Sequence, residues 1–164
     1  MAADLQAGVL ATPTPPTPIA VGESVGRTVR YTREQIAEFA RLSGDSNPIH
    51  SNQQAAQRAR YGEIIASGQQ TVAQMMGLAA SYFTRDDGDG LGRETLCLNF
   101  NFAFKLPIFA EQEVKLSWQV GSVDWNSRLG GWIGLVDGSA RVAGRACVVG
   151  RGTVLVKSVP VRGA

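Results

Sequence analysis

Gln69-Gln70-Thr71-Val72-Ala73-Gln74-Met75-Met76-Gly77-Leu78-Ala79-Ala80-Ser81-Tyr82-Phe83 contains no charged residue. Wound as a helix, it shows apolar or small side chains on nearly every side. Such a helix is expected in the interior, where small residues let other backbone pack close. Met75 and Met76 read as core filler. Ser67-Gly68, just before it, reads as the helix start, with the serine as N-cap.

Downstream the pattern changes to period two. From Thr95, the residues Leu96, Leu98, Phe100, Phe102 and Phe104 alternate with Cys97, Asn99, Asn101, Ala103 and Lys105. That alternation predicts a half-buried strand. Leu106-Pro107 to Ala110 reads as a turn. Val114, Leu116, Trp118 and Val120 predict a second strand, and Trp132 to Val136 a third. Asp137-Gly138 carries a hairpin signal. Ala140–Val149 and Thr153–Val159 complete the pattern, with a bulge expected at Gly150-Arg151-Gly152.

Upstream lies a lead-in strand from Ile19 to Tyr31, with Gly22 and Gly26 as breaks. Thr32-Arg33-Glu34-Gln35 is a capping-box pattern. It opens a helix with an apolar face of Ile36, Phe39, Ala40 and Leu42, ended by Gly44. Ser51-Asn52-Gln53-Gln54 caps a polar helix running to about Tyr61, which Gly62 closes. Helices therefore come first and a meander of strands follows. This predicts an α+β domain whose antiparallel sheet needs a cover on one face. The apolar helix 69–83 is that cover, and a long curved sheet around one buried helix is the hot-dog arrangement.

Between the first two helices stands Gly44-Asp45-Ser46-Asn47-Pro48-Ile49-His50, which holds the single histidine of the chain. Asn47 precedes a proline and is pushed out of the helical region, so Asp45 and His50 sit on a turn. A carboxylate and an imidazole on a rigid turn suit general acid–base chemistry. The other reading is a helix cap followed by an Asx-turn, with His50 packed for structure.

The 164 residues fit one domain. Residues 1–18, ending in Thr12-Pro13-Thr14-Pro15-Pro16-Thr17-Pro18, are expected to form a disordered tail ahead of a domain spanning 19–164. A net charge of +2 argues for neither nucleic acid nor membrane partners. No apolar run is long enough for a transmembrane helix. The N-terminus lacks a basic region and carries Asp4, which makes a poor secretory signal. A cytoplasmic protein is expected. Cys97 and Cys147 lie far apart in apolar runs and read as buried thiols, a disulfide between them being the other reading, with no metal spacing. Asp86-Asp87-Gly88-Asp89-Gly90 is acidic but lacks the ligand spacing of a calcium loop.

Phe39-Ala40-Arg41-Leu42-Ser43-Gly44-Asp45-Ser46-Asn47-Pro48-Ile49-His50 closely resembles the hydratase motif of the MaoC-like (R)-specific enoyl-CoA hydratases. Ala66-Ser67-Gly68 and Phe104-Lys105-Leu106-Pro107-Ile108 look like later landmarks of that family, in the right order. The resemblance runs from about Ile19 to the end. It implies a hot-dog fold, a working unit of at least a dimer, and a 2-enoyl thioester of coenzyme A as substrate; a homodimer or higher homo-oligomer is expected, with no cofactor and no metal. It implies reversible hydration to an (R)-3-hydroxyacyl-CoA, in fatty acid metabolism, with Asp45 and His50 acting on one water. The family's asparagine falls on Asn47, expected to brace the turn, and its helix-start glycine on Gly68. Two positions depart from the pattern. Asn52 stands where many members have an aspartate, and Ser67 where many have a histidine. The second change alters the pocket.

Such a hydration needs water at C3, a proton at C2 and a donor for the thioester oxygen. Gly68, in the first turn, would offer a free amide at the positive end of the helix dipole, with Ser67 beside it. The same pair also reads as an ordinary cap. Arg58, Arg60, Arg85, Arg93 and Arg128 are candidates for the coenzyme A phosphates. Two other functions fit the fold class. One is an acyl-CoA thioesterase, disfavoured because helix 69–83 has no Asp or Glu. The other is a non-catalytic acyl-CoA-binding module, disfavoured by the intact Asp45 and His50.

Overall fold

The computed structural model describes residues 14–85 and 91–160. Residues 1–13, most of the proline-rich tail, and the acidic loop 86–90 lie outside the described residues. Thr14–Pro18 form no helix or strand, and Ile19 is already buried in the core.

The elements run β1 (Ser24–Arg30), α1 (Arg33–Ser43), a 3-10 turn (Pro48–His50), α2 (Gln53–Arg58), α3 (Gly68–Phe83), β2 (Leu91–Phe104), β3 (Glu113–Asn126), β4 (Gly131–Val142) and β5 (Arg145–Pro160). The five strands make one antiparallel sheet in the order β1-β3-β4-β5-β2. The sheet curls around α3, as the α+β reading expects. Met75, Leu78, Ala79 and Phe83 of α3 meet Val114, Leu116, Trp118, Val120, Val136, Val154 and Val156 in one core. Trp118 ties the layers together: its indole N–H donates to the Met75 carbonyl at 2.7 Å, and Phe100 and Phe102 pack edge-on against its rings. Burying an indole this large is a main source of core stability, provided the N–H finds a partner.

Several local expectations need correction. Helix α3 is not buried all round. Gln69, Ala73, Gly77, Ala80 and Ser81 form an exposed stripe that this chain's sheet does not reach. Strand β2 starts at Leu91, and its alternation inverts part-way. Cys97 pairs with Val154 and Asn99 with Thr153, which leaves Leu98 as an extra, bulged residue. Ahead of the bulge, the Thr95 hydroxyl bonds to the Phe83 carbonyl while Leu96 stays exposed. Beyond it, Phe100 and Phe102 turn to the core. Such a one-residue insertion exchanges the two faces of a strand. Cys97 is exposed, against the expectation of a buried thiol, while Cys147 is buried; both are free thiols.

Asp137-Gly138 makes no hairpin. It lies inside β4, and the reversal comes at Ala143-Gly144, both at positive φ (47° and 78°). Gly150-Arg151-Gly152 is no break either, because β5 runs through it. Its glycines serve packing: a β-carbon on Gly152 would stand 2.2 Å from the Phe100 ring, and one on Gly150 2.8 Å from Phe102. Gly26 likewise lies within β1. Leu42 faces away from the core, 69% exposed, and α2 ends at Arg58 rather than near Tyr61.

Candidate active site

Each piece of the 44–52 turn is fixed by a local hydrogen bond. Gly44 takes the left-handed conformation (φ 75°) that ends α1, and the Asp45 amide reaches back to the Ala40 carbonyl at 2.9 Å. The Asp45 Oδ1 accepts from the Asn47 amide at 3.1 Å, an Asx-turn. The Asn47 Oδ1 in turn accepts from the Ile49 amide at 3.3 Å, capping the 3-10 turn that Pro48 begins. Asn47 thus braces the turn, as expected. Asn52 caps α2 through Ala55 N–H at 3.0 Å.

This folding brings Asp45 and His50 together. His50 Nε2 lies 3.4 Å from Asp45 Oδ2. The His50 side chain is 7% exposed and that of Asp45 20%. His50 Nδ1 is 2.7 Å from the Ile65 carbonyl oxygen. A carbonyl only accepts, so Nδ1 carries the proton, and in the neutral ring Nε2 is the acceptor. Two acceptors then face each other across a gap too long for a strong direct bond. A water donating one hydrogen to each satisfies both.

Ile65 is held by a short clip. Ala66 N–H donates to the Ile108 carbonyl at 2.8 Å and Ala110 N–H to the Ile64 carbonyl at 3.1 Å. The clip anchors the start of α3 beside the 104–108 segment. Sequence reading missed it, because no local signal marks Ile64-Ile65-Ala66 as paired with a stretch more than forty residues away.

Ser67 is buried and its Oγ accepts from the Gln70 amide at 3.3 Å, a true N-cap. Gly68 is the first residue of α3, so its N–H has no partner within the helix. Both line a cavity of about 410 Å³ with Tyr61, Ile65, Phe104 and Lys105. Asp45 and His50 do not line it; Ile65 stands between, its carbonyl on His50 and its side of the chain in the cavity wall. A larger hollow, about 790 Å³, opens among the outward-facing Ser117, Ser139, Asp137 and Arg151 and involves no residue of the turn.

Of the candidate arginines, two are committed elsewhere. Arg93, nearly buried, contacts Glu23 at 2.7 Å, and Arg85 lies 3.6 Å from the same carboxylate and stacks on Tyr82. Arg58, Arg60 and Arg128 are exposed. No helix among the described residues is long and apolar enough to cross a membrane.

A family model described as MaoC like domain matches residues 17–129. The chain belongs to the MaoC-like family. An (R)-specific enoyl-CoA hydratase of Aeromonas caviae is 31% identical to this MaoC-like chain over 101 residues, 61% of this chain and 69% of that protein. Solved structures share the hot-dog fold. The A. caviae (R)-hydratase involved in PHA biosynthesis superimposes with a TM-score of 0.71 at 24% identity, covering 84% of this chain and 96% of that one. The HadBC (3R-hydroxyacyl-ACP dehydratase) complex of Mycobacterium tuberculosis gives a TM-score of 0.66 at 20% identity, with coverage of 84% and 96%. These relatives are an (R)-hydratase and a (3R)-hydroxyacyl-ACP dehydratase.

Proposed function

We propose that this MaoC-like chain reversibly hydrates a trans-2-enoyl-CoA to an (R)-3-hydroxyacyl-CoA, with Asp45 and His50 working on one water. The observation that carries the reading is the orientation of His50: Nδ1 stands 2.7 Å from the Ile65 carbonyl oxygen and Nε2 faces Asp45 Oδ2 at 3.4 Å. His50 Nε2 takes a proton from the water as the oxygen bonds to C3. The C2=C3 electrons move toward the thioester oxygen, and Gly68 N–H steadies the charge that gathers there. The His50 imidazolium then gives that proton to C2 as the enolate collapses, which restores the neutral ring. The Asp45 carboxylate holds the water in line and stabilises the imidazolium, and the rigid turn supplies the orientation in advance.

The site is best completed by a second copy. The dyad stands outside the cavity of the single chain. The α3 stripe is uncovered, and the edge strand β2 carries no charge from Thr95 to Ala103. Edge strands that stay solvated are usually guarded by charge, so a bare one fits pairing between copies. A homodimer is therefore part of the reading. A cytoplasmic setting fits the two free thiols.

The test is loss of enoyl absorbance from crotonyl-CoA and longer enoyl-CoAs, with chiral analysis of the product. Hydration to the (R)-alcohol is expected. Absence of turnover at every chain length, or an (S)-product, would overturn it.

A further inference from the structure

We propose that Arg60, Tyr61 and Lys105, at the lip of the 410 Å³ cavity, grip the nucleotide end of coenzyme A, so that the acyl carrier is free coenzyme A and not a carrier protein. This deepens the hydratase reading and rests on it for the thioester. The cavity reaches from Ser67-Gly68, where the reacting carbonyl would sit, to Tyr61 and Lys105. Among the described residues, its lining contains one cation and no carboxylate, which suits an anionic guest.

The lip is built for a flat, charged group. Helix α2 ends at Arg58, and Gly62 at φ 72° reverses the chain, so Tyr61 is turned to the cavity. Tyr61 is 42% exposed, which leaves part of its ring open. The Arg60 guanidinium lies 5.5 Å from its ring centroid, a cation–π contact that fixes the charge beside the ring. Lys105 stands on the other lip. Among the described residues neither Arg60 nor Lys105 has a carboxylate partner, whereas Arg33, Arg85, Arg93 and Arg151 each do. A purine can stack on the open part of Tyr61 while the phosphates meet the two cations. A carrier protein docks over a broad face, whereas a nucleotide needs a plate and a few charges, which is what the lip offers.

The test compares crotonyl-CoA, crotonyl-pantetheine and a crotonyl carrier protein on the wild type and on Arg60→Gln, Tyr61→Ala and Lys105→Gln, with Arg151→Ala, exposed and outside the cavity lining, as control. The three lip variants should raise KM for crotonyl-CoA about tenfold, the size of losing one charged phosphate contact, with kcat held. KM for crotonyl-pantetheine, which lacks the nucleotide, should not move, and Arg151→Ala should behave as wild type. Equal effects on both small thioesters, or a lower KM for the carrier-protein thioester, overturn the proposal. Calorimetry with coenzyme A alone needs no turnover. Binding that weakens in the lip variants supports the clamp even if hydration fails, and absence of binding overturns it even if hydration succeeds.

Discussion

The ring of Phe104 occupies the space that a β-carbon on Gly68 would take: the built atom falls 2.5 Å from Phe104 Cε1 and 3.0 Å from two further ring carbons. The end of β2 and the start of α3 therefore share one small volume, and only glycine leaves room for the ring. Phe104 is 59% exposed, so the ring can swing aside into the cavity it lines. Gly68→Ala should accordingly fold with little change in melting temperature, yet lose about tenfold or more in kcat as the ring is driven across the helix amide. Adding Phe104→Ala should restore part of that loss. Steady-state kinetics of the single and double variants measure the coupling.

Asp45→Asn keeps an oxygen for the Asn47 amide, so the turn should survive. The carboxylate that orients water and balances the imidazolium is lost. Hydration should fall about 10²- to 10⁴-fold, with a near-UV spectrum like that of wild type. Wild-type activity in this variant would remove Asp45 from the mechanism.

Asn47→Ala removes the cap on the 3-10 turn but leaves both reacting groups in place. A lost cap of this kind costs about 0.5–2 kcal/mol, readable as a lower denaturant midpoint. Because the turn aims His50 at Asp45, kcat should fall more than KM changes.

Glu23 gives a pH-dependent prediction. Burial pushes its carboxyl pKa up, but hydrogen bonds from Arg93, Ala20 N–H and Tyr82, with the Arg93 charge, outweigh that and hold it below the ordinary carboxylate value. A carboxyl lowered on folding stabilises fully above its unfolded pKa. That contribution drains away as pH falls through the folded value. Glu23→Gln should therefore be less stable than wild type at pH 7, and the difference should shrink on acidification below about pH 4. Urea melts of both proteins at neutral and acid pH check the sign.

What could be read without coordinates was what local chemistry fixes. The capping box at Thr32 and Gln35 appeared where four consecutive residues placed it, with both reciprocal bonds formed. The Gly44 cap, the Asn47-Pro48 turn and the Ser67 cap are likewise set within a few residues, so the turn holding Asp45 and His50 was legible. Period-two patterning announced the strands and the uncharged stretch announced the helix they enclose. Tertiary structure decided what depends on distant neighbours. Alternation in β2 could not reveal that Leu98 bulges, because the shift is imposed by pairing with β5. Asp137-Gly138 has the composition of a turn, yet partners on both sides of β4 keep it extended. The stripe on α3 from Gln69 to Ser81 looks apolar enough for burial, but one curled sheet covers only part of a helix. Above all, the tautomer of His50 is set by the carbonyl of Ile65, fifteen residues away. Sequence placed the imidazole near an acid; only the folded chain determined which nitrogen faces it.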